Sequence, residues 1–397
     1  MKNHPKLFAQ IDDFEILLTA VKFDDQNNFK LLEKIILPIK NSSVKGISDL
    51  DNITELIKKS VLEVEQKINF TFSRLIIILN NFEISFFNLS GFRKLNGTQV
   101  SKENITYILN TLMSYIDENE KNKKILHIFN SEYILDKKKL DNLPIGLFGD
   151  FYAHELSFNL IDKNDFKNLE NIFKKCNLKI EKILLESFVK GSIVSNKNFN
   201  LDSFFYIQIN QNITKIFVVE KDSIKFEQKF KFGTEIIEKD ISKITSLKIE
   251  EIKKIIQKNP NIQNAGENDF LEEEYFKNKN YRKISKKLLA SIAEARIKEL
   301  SQILLYQNIN LKAQQKKLKV VFLEINDQNN FECFKKDYEN CFSRNNDFDF
   351  KFAKRVGVEE MVNAANKIVH FGWKKEAIPV PNFKKTIFSR FFEKIFS

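Results

Sequence analysis

The chain has 397 residues, of which 43% are hydrophobic and 29% are charged; this composition is typical of folded proteins and excludes a largely disordered chain. The length allows two or three domains with sizeable cores. The net charge of +11 permits a nucleic acid or an anionic membrane as partner and does not choose between them.

The cysteines, the N-terminal sequence and the apolar runs indicate the cellular environment of the protein. The cysteines form no CxxC pair and have no histidine at metal-ligand spacing, so we expect no zinc site and a reducing compartment. The N-terminal sequence lacks the apolar core of a signal peptide. No apolar run approaches about 18 residues, and we therefore expect no transmembrane helix.

The first 81 residues combine strand and helix patterns. The apolar run Glu15–Phe23 and a second run over residues 29–39 flank a polar turn and predict a β-hairpin. Apolar residues recur at helical spacing over residues 51–69, and Arg74–Leu79 predicts a buried strand.

Residues from about 82 onward form a distinct module. Strand signals surround residues 84–87, a helix begins at Ser101, and residues 125–135 predict another strand. The polar segment 136–144 is predicted to be a loop.

A second strand-helix unit follows this module. Its predicted elements are a helix over 165–176, a strand over 180–185, a hairpin over 204–219, a helix over 234–244, a polar loop over 259–269, a long amphipathic helix over 281–306 and a strand over 320–325.

The C-terminal segment, residues 382–397, follows a stiff proline-containing link over 378–381. On a helical wheel of residues 386–397 the apolar side chains fill one half and the polar side chains the other, and the whole segment has four cations against one acid. Twelve helical residues span about 18 Å, too short for a bilayer core of about 30 Å. The pattern predicts a helix that lies in a membrane surface; a helix docked on its own domain is the alternative. The predicted membrane-binding residues are Phe383, Lys384, Lys385, Ile387, Phe388, Arg390, Phe391, Phe392, Lys394, Ile395 and Phe396.

Several short motifs occur in a fixed order along the chain. They are KGISD at 45–49, LHIF at 126–129, EYILD at 132–136, LPIGL at 143–147, FGTEII at 232–237, IEEIKKI at 249–255 and IAEARIKEL at 292–300. In this order, and together with the terminal helix, the chain resembles the bacterial cell-division actin homologue FtsA over nearly its whole length.

The resemblance implies an α/β, actin-like fold of the actin/Hsp70/sugar-kinase type, with two lobes around an ATP cleft and an inserted subdomain. It also implies polymerisation on the inner face of the cytoplasmic membrane at the division site, where such proteins tether FtsZ. The corresponding division of the chain is 1–81 and 158–198 for the first lobe, 82–157 for the insert, 199–377 for the second lobe, 378–381 for a linker and 382–397 for the membrane-targeting helix.

The nucleotide loops are where the sequence departs from that family. An actin-like phosphate site needs glycines, so that backbone N–H groups can approach the phosphates. The matching stretches here are QIDD at 10–13, QINQN at 208–212 and VVFLEIND at 320–327, and none contains glycine. Gly233 matches one glycine of a family pair and also suits a turn. We therefore expect no cofactor and regard ATP as doubtful; a distant relative that binds nucleotide through other side chains is the alternative.

Two basic residues on the predicted long helix, Arg296 and Lys298, match the lobe that binds the FtsZ tail in the family. That tail is short and acidic, so cations suit it; a solvated helix face paired with Glu294 and Glu299 is the alternative. His127 and His154 lie near apolar strands and are interpreted as packing residues.

The resulting hypothesis is a membrane-bound, actin-like adaptor of cell division without chemistry of its own. It would bind the FtsZ C-terminal tail, an anionic membrane, other division proteins and further copies of itself. Three alternatives stay open: the actin-like adaptor of type IV pilus assembly, an ATP-dependent enzyme of the same superfold, and a basic nucleic-acid binder. The last lacks the aromatic-basic motifs of the common modules, so we expect no nucleic-acid partner.

Overall fold

The computed structural model describes residues 4–12, 15–24, 29–39, 50–80, 82–198, 201–276, 281–343 and 348–377. The predicted linker and membrane-targeting helix, the KGISD motif and Asp13 lie outside these ranges.

The first lobe begins with a twisted sheet of strongly apolar strands. Its first elements are strands β1 (Lys6–Ile11), β2 (Glu15–Phe23) and β3 (Phe29–Pro38), helix α1 (Leu50–Ile68) and strand β4 (Arg74–Leu79). β1 and β2 pair antiparallel, and β1 pairs parallel with β4. Almost every residue of β2 and β4 is buried, because helices and neighbouring strands cover both faces of the sheet.

The insert forms a separate antiparallel sheet covered by one helix. Its elements are strand β5 (Ile84–Lys94), helix α2 (Lys102–Asn119) and strands β6 (Lys123–Leu135), β7 (Lys138–Leu140) and β8 (Phe151–Asp162). The strand order is β5-β8-β6-β7. Helix α2 starts with a capping box, in which the Ser101 side chain accepts from the Asn104 amide and the Asn104 side chain accepts from the Ser101 amide.

The chain then completes the first lobe. Helix α3 (Lys163–Lys175) leads into strand β9 (Lys179–Leu185), which pairs parallel with β4 and closes the sheet order β3-β2-β1-β4-β9. Helix α4 (Glu186–Lys197) follows β9 directly. Most of the first two turns of α4 are buried, so this helix lies inside the molecule and connects the two lobes.

The second lobe repeats the plan of the first. Its elements are β10 (Phe204–Ile209), β11 (Thr214–Glu220), β12 (Ser223–Phe230), α5 (Glu235–Thr245), α6 (Ile249–Lys258), α7 (Lys286–Ser301), α8 (Lys312–Gln315), β13 (Val320–Ile325), α9 (Gln328–Phe342), β14 (Asp349–Phe352) and α10 (Val358–Phe371). The sheet order is β12-β11-β10-β13-β14. Two sheets with the same arrangement, three antiparallel strands followed by two parallel ones, build a two-lobed, actin-like body.

One apolar core continues from the first lobe into the second. Buried side chains of the first sheet, such as Leu7 and Ile77, join Phe188 of α4 and Val362 of α10 in a single cluster with Tyr206 of the second sheet. The other face of the second sheet has its own core against α5, α6, α7 and α9, and the insert has a third. The lobes are therefore joined by shared packing as well as by the chain.

Several sequence predictions differ from the structure in detail. The predicted loop over 136–144 contains β7, because Asp136 and Lys137 both have positive φ and form a tight hairpin turn. The long helix predicted over 281–306 starts later, at Lys286 after the Ser285 cap, and its last turn, Gln302–Tyr306, is π-helical. Among the described residues, no helix is both long and apolar enough to cross a membrane.

Candidate functional site

The three stretches that correspond to nucleotide loops converge on one cleft between the lobes. Gln10 and Asp12 at the end of β1, the loop 210–212 after β10, and Asn326 after β13 all line a space of about 460 Å³. Strand β1, which pairs parallel with β4, and strand β10, which pairs parallel with β13, both end at this cleft. The ends of parallel strands are where open α/β sheets place their ligand sites. The structure thus brings the predicted loops together.

A buried ionic cluster occupies the inner wall of this cleft. We name it the cleft cluster and define it as Glu186 and Lys190 of α4, Lys215 of β11 and Glu324 of β13. Lys190 Nζ lies 3.2 Å from Glu186 Oε1 and 3.2 Å from Glu324 Oε2. Lys215 Nζ lies 3.0 Å from Glu186 Oε2. Both lysine side chains are only 4% exposed and that of Glu324 is 1% exposed, so the charges must satisfy one another.

Strand register explains why these residues meet. Gln208 of β10 is the cross-strand partner of both Glu324 and Lys215, so the three polar side chains form a row across one face of the second sheet. Helix α4 covers that face. Lys190 also donates to Gln208 Oε1 at 2.8 Å, and the Tyr206 hydroxyl donates to Glu324.

The cleft cluster also reaches the first sheet. Lys215 Nζ donates to the side-chain oxygen of Asn80 at the end of β4, and Asn80 Nδ2 donates to Asp12 Oδ2 at 3.2 Å. One lysine of the second lobe therefore binds groups from the first lobe and from α4 at the same time.

The protonation states follow from this geometry. Burial alone would raise the pKa of Glu186, but the ammonium groups of Lys190 and Lys215 outweigh it and lower that pKa to about 2. Burial opposes the charged form of Lys215, and the carboxylates of Glu186 and Glu227 raise its pKa nonetheless. Glu186 and Lys215 are thus both charged at neutral pH.

The residues that line the cleft do not fit the phosphates of a nucleoside triphosphate. Lys190, a cation that lines the cleft, is already paired with Glu186 and Glu324, and Asp12 adds a further carboxylate to the lining. The first amides of α5 are already used, since Thr234 N–H and Glu235 N–H donate to the carbonyls of Asn210 and Gln211 at 3.0 Å each. They are therefore not free to bind an anion.

Glycine is needed at position 233 for a structural reason that does not involve phosphate binding. A Cβ atom at this position would lie 1.9 Å from the carbonyl oxygen of Asn210, so only glycine allows the two loops to pack. Among the described residues, no group of three or more His, Cys, Asp or Glu side chains is arranged to hold a metal ion.

The predicted partner residues lie on α7, away from the cleft. Arg296 is half-buried; its Nε donates to Asp240 Oδ2 and its Nη1 lies 2.5 Å from Glu299 Oε2. These two partners also raise the pKa of the guanidinium, with the Asp240 hydrogen bond as the largest cause. Lys298 is exposed. The local pairing of Arg296 with Glu299 matches the alternative given above, and Lys298 is the more accessible cation.

A short C-terminal segment, residues 373–377, which we name the C-terminal strap, joins the lobes and the insert. Its backbone pairs with the edge of β6, through Ala377 N–H to Ile128 O and Asn130 N–H to Lys375 O, both at 2.7 Å. Trp373 Nε1 donates to the carbonyl of Asp222 in the second lobe at 2.7 Å.

A buried triad fixes the end of the C-terminal strap. Glu376 lies 3.0 Å from His127 Nδ1 and 2.7 Å from Lys182 Nζ. Burial lowers the pKa of His127 despite its bond to Glu376, so the ring is held neutral by its surroundings. His154 is a packing residue, buried beside Tyr133 and Tyr152. His127 thus packs, as interpreted from the sequence, and also binds the strap.

The sequence interpretation missed the four residues of the cleft cluster. Glu186 and Lys190 have the i, i+4 spacing of a helical ion pair. Lys215 and Glu324 each interrupt an otherwise apolar, buried strand. A charge inside such a strand is the signal that could have identified them.

Comparisons with known proteins agree with this architecture. No protein-family model matches the chain. The cell division protein FtsA of Buchnera aphidicola subsp. Schizaphis graminum is 24% identical over 216 residues, 54% of this chain and 51% of that protein. The cell division protein FtsA of Neisseria meningitidis serogroup B is 23% identical over 291 residues, 73% of this chain and 69% of that protein. The chain thus spans about half the length of the Buchnera relative.

A solved structure shows the fold. The PilM–PilN type IV pilus biogenesis complex matches with a TM-score of 0.54 over 95% of this chain and 99% of that chain, at 9% identity. The two repeated sheets around one cleft place the protein in the actin-like superfold. Its sequence is in addition similar to the two cell division proteins named FtsA, at 24% and 23% identity.

Proposed function

We propose that the protein is a membrane-bound, actin-like adaptor of bacterial cell division that tethers FtsZ filaments to the inner face of the cytoplasmic membrane. The observation that carries the proposal is the similarity to proteins named FtsA, which extends over 216 residues in one relative and 291 in another. The actin-like body supports it, since that body is common to the class. We propose no catalytic activity, because the cleft residues do not fit the phosphates that an ATP-dependent enzyme of this superfold would use.

Membrane attachment in this proposal depends on residues 382–397. Burial of six large apolar side chains contributes at most about 9–18 kcal/mol, and ordering twelve residues costs roughly 1–2 kcal/mol each. Each cation near anionic lipid adds about 1 kcal/mol. The balance predicts weak attachment for one molecule and strong attachment for an assembly whose tails bind together.

Self-association in this proposal uses the insert. Phe92 and Phe148 have exposed fractions of 62% and 69%, and Leu147 is half exposed. Phe92 stacks on Phe151 with ring centroids 5.2 Å apart, which extends the apolar surface. Exposed aromatic clusters of this kind are typical of contact surfaces between proteins, and this supports the insert as the site where neighbouring copies meet.

FtsZ binding in this proposal uses the exposed side of α7. Lys298 is exposed and has no ion-pair partner among the described residues, so it can meet an acidic tail directly. Arg296 would have to exchange Asp240 and Glu299 for a carboxylate of the tail. We therefore assign the larger direct role to Lys298 and a supporting role to Arg296.

The adaptor of type IV pilus assembly is the second candidate, and the fold of the PilM–PilN complex favours it. At 9% identity that likeness shows the fold alone, whereas the similarity to FtsA proteins extends to sequence.

The test of the proposed function is co-sedimentation with anionic liposomes and an FtsZ C-terminal tail peptide. The full chain should bring the peptide to the liposomes. A chain without residues 382–397 should bind the peptide in solution and should not sediment with the liposomes. If the full chain binds liposomes and never the peptide, the division adaptor is wrong and a pilus-type partner becomes the next candidate.

A further inference from the structure

The wall of the cleft between the lobes contains buried charged side chains where an apolar core would need none. Two lysines and two glutamates of the cleft cluster lie in a region from which water is largely excluded. In such a region a charge is costly when it loses its partner, so separating the members of the cluster is unfavourable. The members come from α4 and from two strands of the second lobe, with Asn80 of the first sheet bound to Lys215.

Contacts outside the cleft join the second lobe to the insert. Lys221 Nζ of the second lobe lies 3.0 Å from Glu132 Oε1 of the insert, and Ser223 Oγ donates to the Asn130 carbonyl at 3.2 Å. Lys229 Nζ donates to the Phe82 carbonyl. The C-terminal strap adds the bond from Trp373 to Asp222. The second lobe is thus bridged to α4 and the first sheet at the cleft, and to the insert along β12.

We propose that the cleft cluster replaces nucleotide as the element that holds the two lobes closed. In an actin-like body with a nucleotide, the ligand contacts both lobes and its presence can decide their orientation. Here Lys190 and Lys215 supply the positive charge and Glu186 and Glu324 the negative charge, all from the chain itself. The closed arrangement is then a permanent property of the fold, and the protein has no nucleotide-dependent step.

Pulsed electron paramagnetic resonance on the full chain tests this proposal. Spin labels are placed on cysteines at two exposed helix positions, Glu55→Cys on α1 and Lys254→Cys on α6. Cys341 is changed to Ser, while the buried Cys176 and Cys333 are kept. The distance between the labels then reports how the lobes are oriented.

The protein with the wild-type cluster should give one narrow distribution of distances between the labels, and Mg-ATP or Mg-ADP should leave it unchanged. Lys190→Met should broaden the distribution about twofold or more, because Glu186 and Glu324 lose a shared partner and separate. Lys286→Met is the matched control: it removes a lysine–glutamate pair, with Glu272 at 2.6 Å, that lies wholly inside the second lobe. The control should leave the distance unchanged.

Two outcomes overturn the proposal. One is a shift of the wild-type distance by more than about 2 Å on addition of Mg-ATP, the size of ligand-driven rearrangements. The other is a distribution for Lys190→Met as narrow as that of the control. If Lys190→Met does not fold, Glu324→Gln takes its place, since it keeps the side-chain volume and removes one charge; broadening supports the proposal and an unchanged width overturns it. No membrane or FtsZ is present in this experiment, so its result is independent of the adaptor function.

Discussion

His154 gives the sharpest prediction about stability. It lies in β8, the central strand of the insert sheet, is 1% exposed, and neither ring nitrogen has a hydrogen-bond partner among the described residues. Burial, aided by the charge of Lys375, lowers its pKa to about 4. An unfolded histidine has a pKa of about 6.5. Between these two values the unfolded insert binds a proton that the folded insert does not.

The sign and size follow from proton linkage. Stability rises with pH wherever the unfolded state binds more protons, so the contribution of His154 is complete above about pH 6.5 and is lost as the pH falls toward about 4. The stability lost through His154, relative to high pH, is nearly zero at about pH 7.5 and about 2 kcal/mol at about pH 5. His127, in the same sheet, acts in the same direction because burial lowers its pKa as well.

Native-state hydrogen exchange of the amides in β6 and β8 measures this effect. The opening free energy of wild type should fall between about pH 7.5 and about pH 5, and His154→Leu should remove about 2 kcal/mol of that fall. His370→Leu, which replaces an exposed histidine of α10, is the control and should behave as wild type. If wild type and His154→Leu lose equal opening free energy over this range, His154 is not held neutral by burial and the reasoning is refuted.

Three further predictions concern the membrane helix, the partner surface and the cleft. Phe391→Glu should abolish liposome pelleting, because it removes about 1.5–3 kcal/mol of apolar burial and adds a carboxylate to the membrane face; pelleting at the wild-type level would contradict the anchor. Lys298→Glu should weaken FtsZ-tail binding about tenfold in a fluorescence anisotropy titration and leave liposome binding intact, with Lys287→Glu on the same helix as control; equal affinities would place the partner site elsewhere. Gly233→Ala should lower the thermal midpoint, since the added Cβ forces apart two loops that touch at Asn210, at a cost of about 1–3 kcal/mol; an unchanged midpoint would show that the loops separate freely.

The sequence predicts the apolar elements of the fold well and its polar contacts poorly. Arg74–Leu79 and Val320–Ile325 are strands as predicted, because both are short, mostly apolar runs rich in β-branched residues, which favour a buried strand over a helix. The central strand β8 was not predicted, since its histidine, glutamate and asparagine obscure the alternation although nearly all of its residues are buried. Its side chains are buried by α2 and by elements outside the insert such as α3 and β12, which no local pattern reveals.

Some features of the candidate site could likewise be predicted from the sequence, and others could not. The positions of the three cleft loops follow from the resemblance to the family, whereas the strand β1 that leads into the first of them was not predicted. The partners of Lys215 could not, since Asn80 and Glu186 are brought to it only by the packing of both lobes against α4. Likewise, the pairing of Arg296 with Asp240 depends on how α5 and α7 pack and is absent from the spacing on α7 alone.

The C-terminal strap has a mechanical consequence. Any pull on the chain beyond Ala377 first loads the backbone pairing with β6 and the contacts of Glu376 with His127 and Lys182. Part of the load passes to the second lobe through Trp373 and Lys374, which both contact Asp222. Tension is therefore shared between the edge of the insert sheet and the loop between β11 and β12, and α10 is shielded from it until the strap detaches.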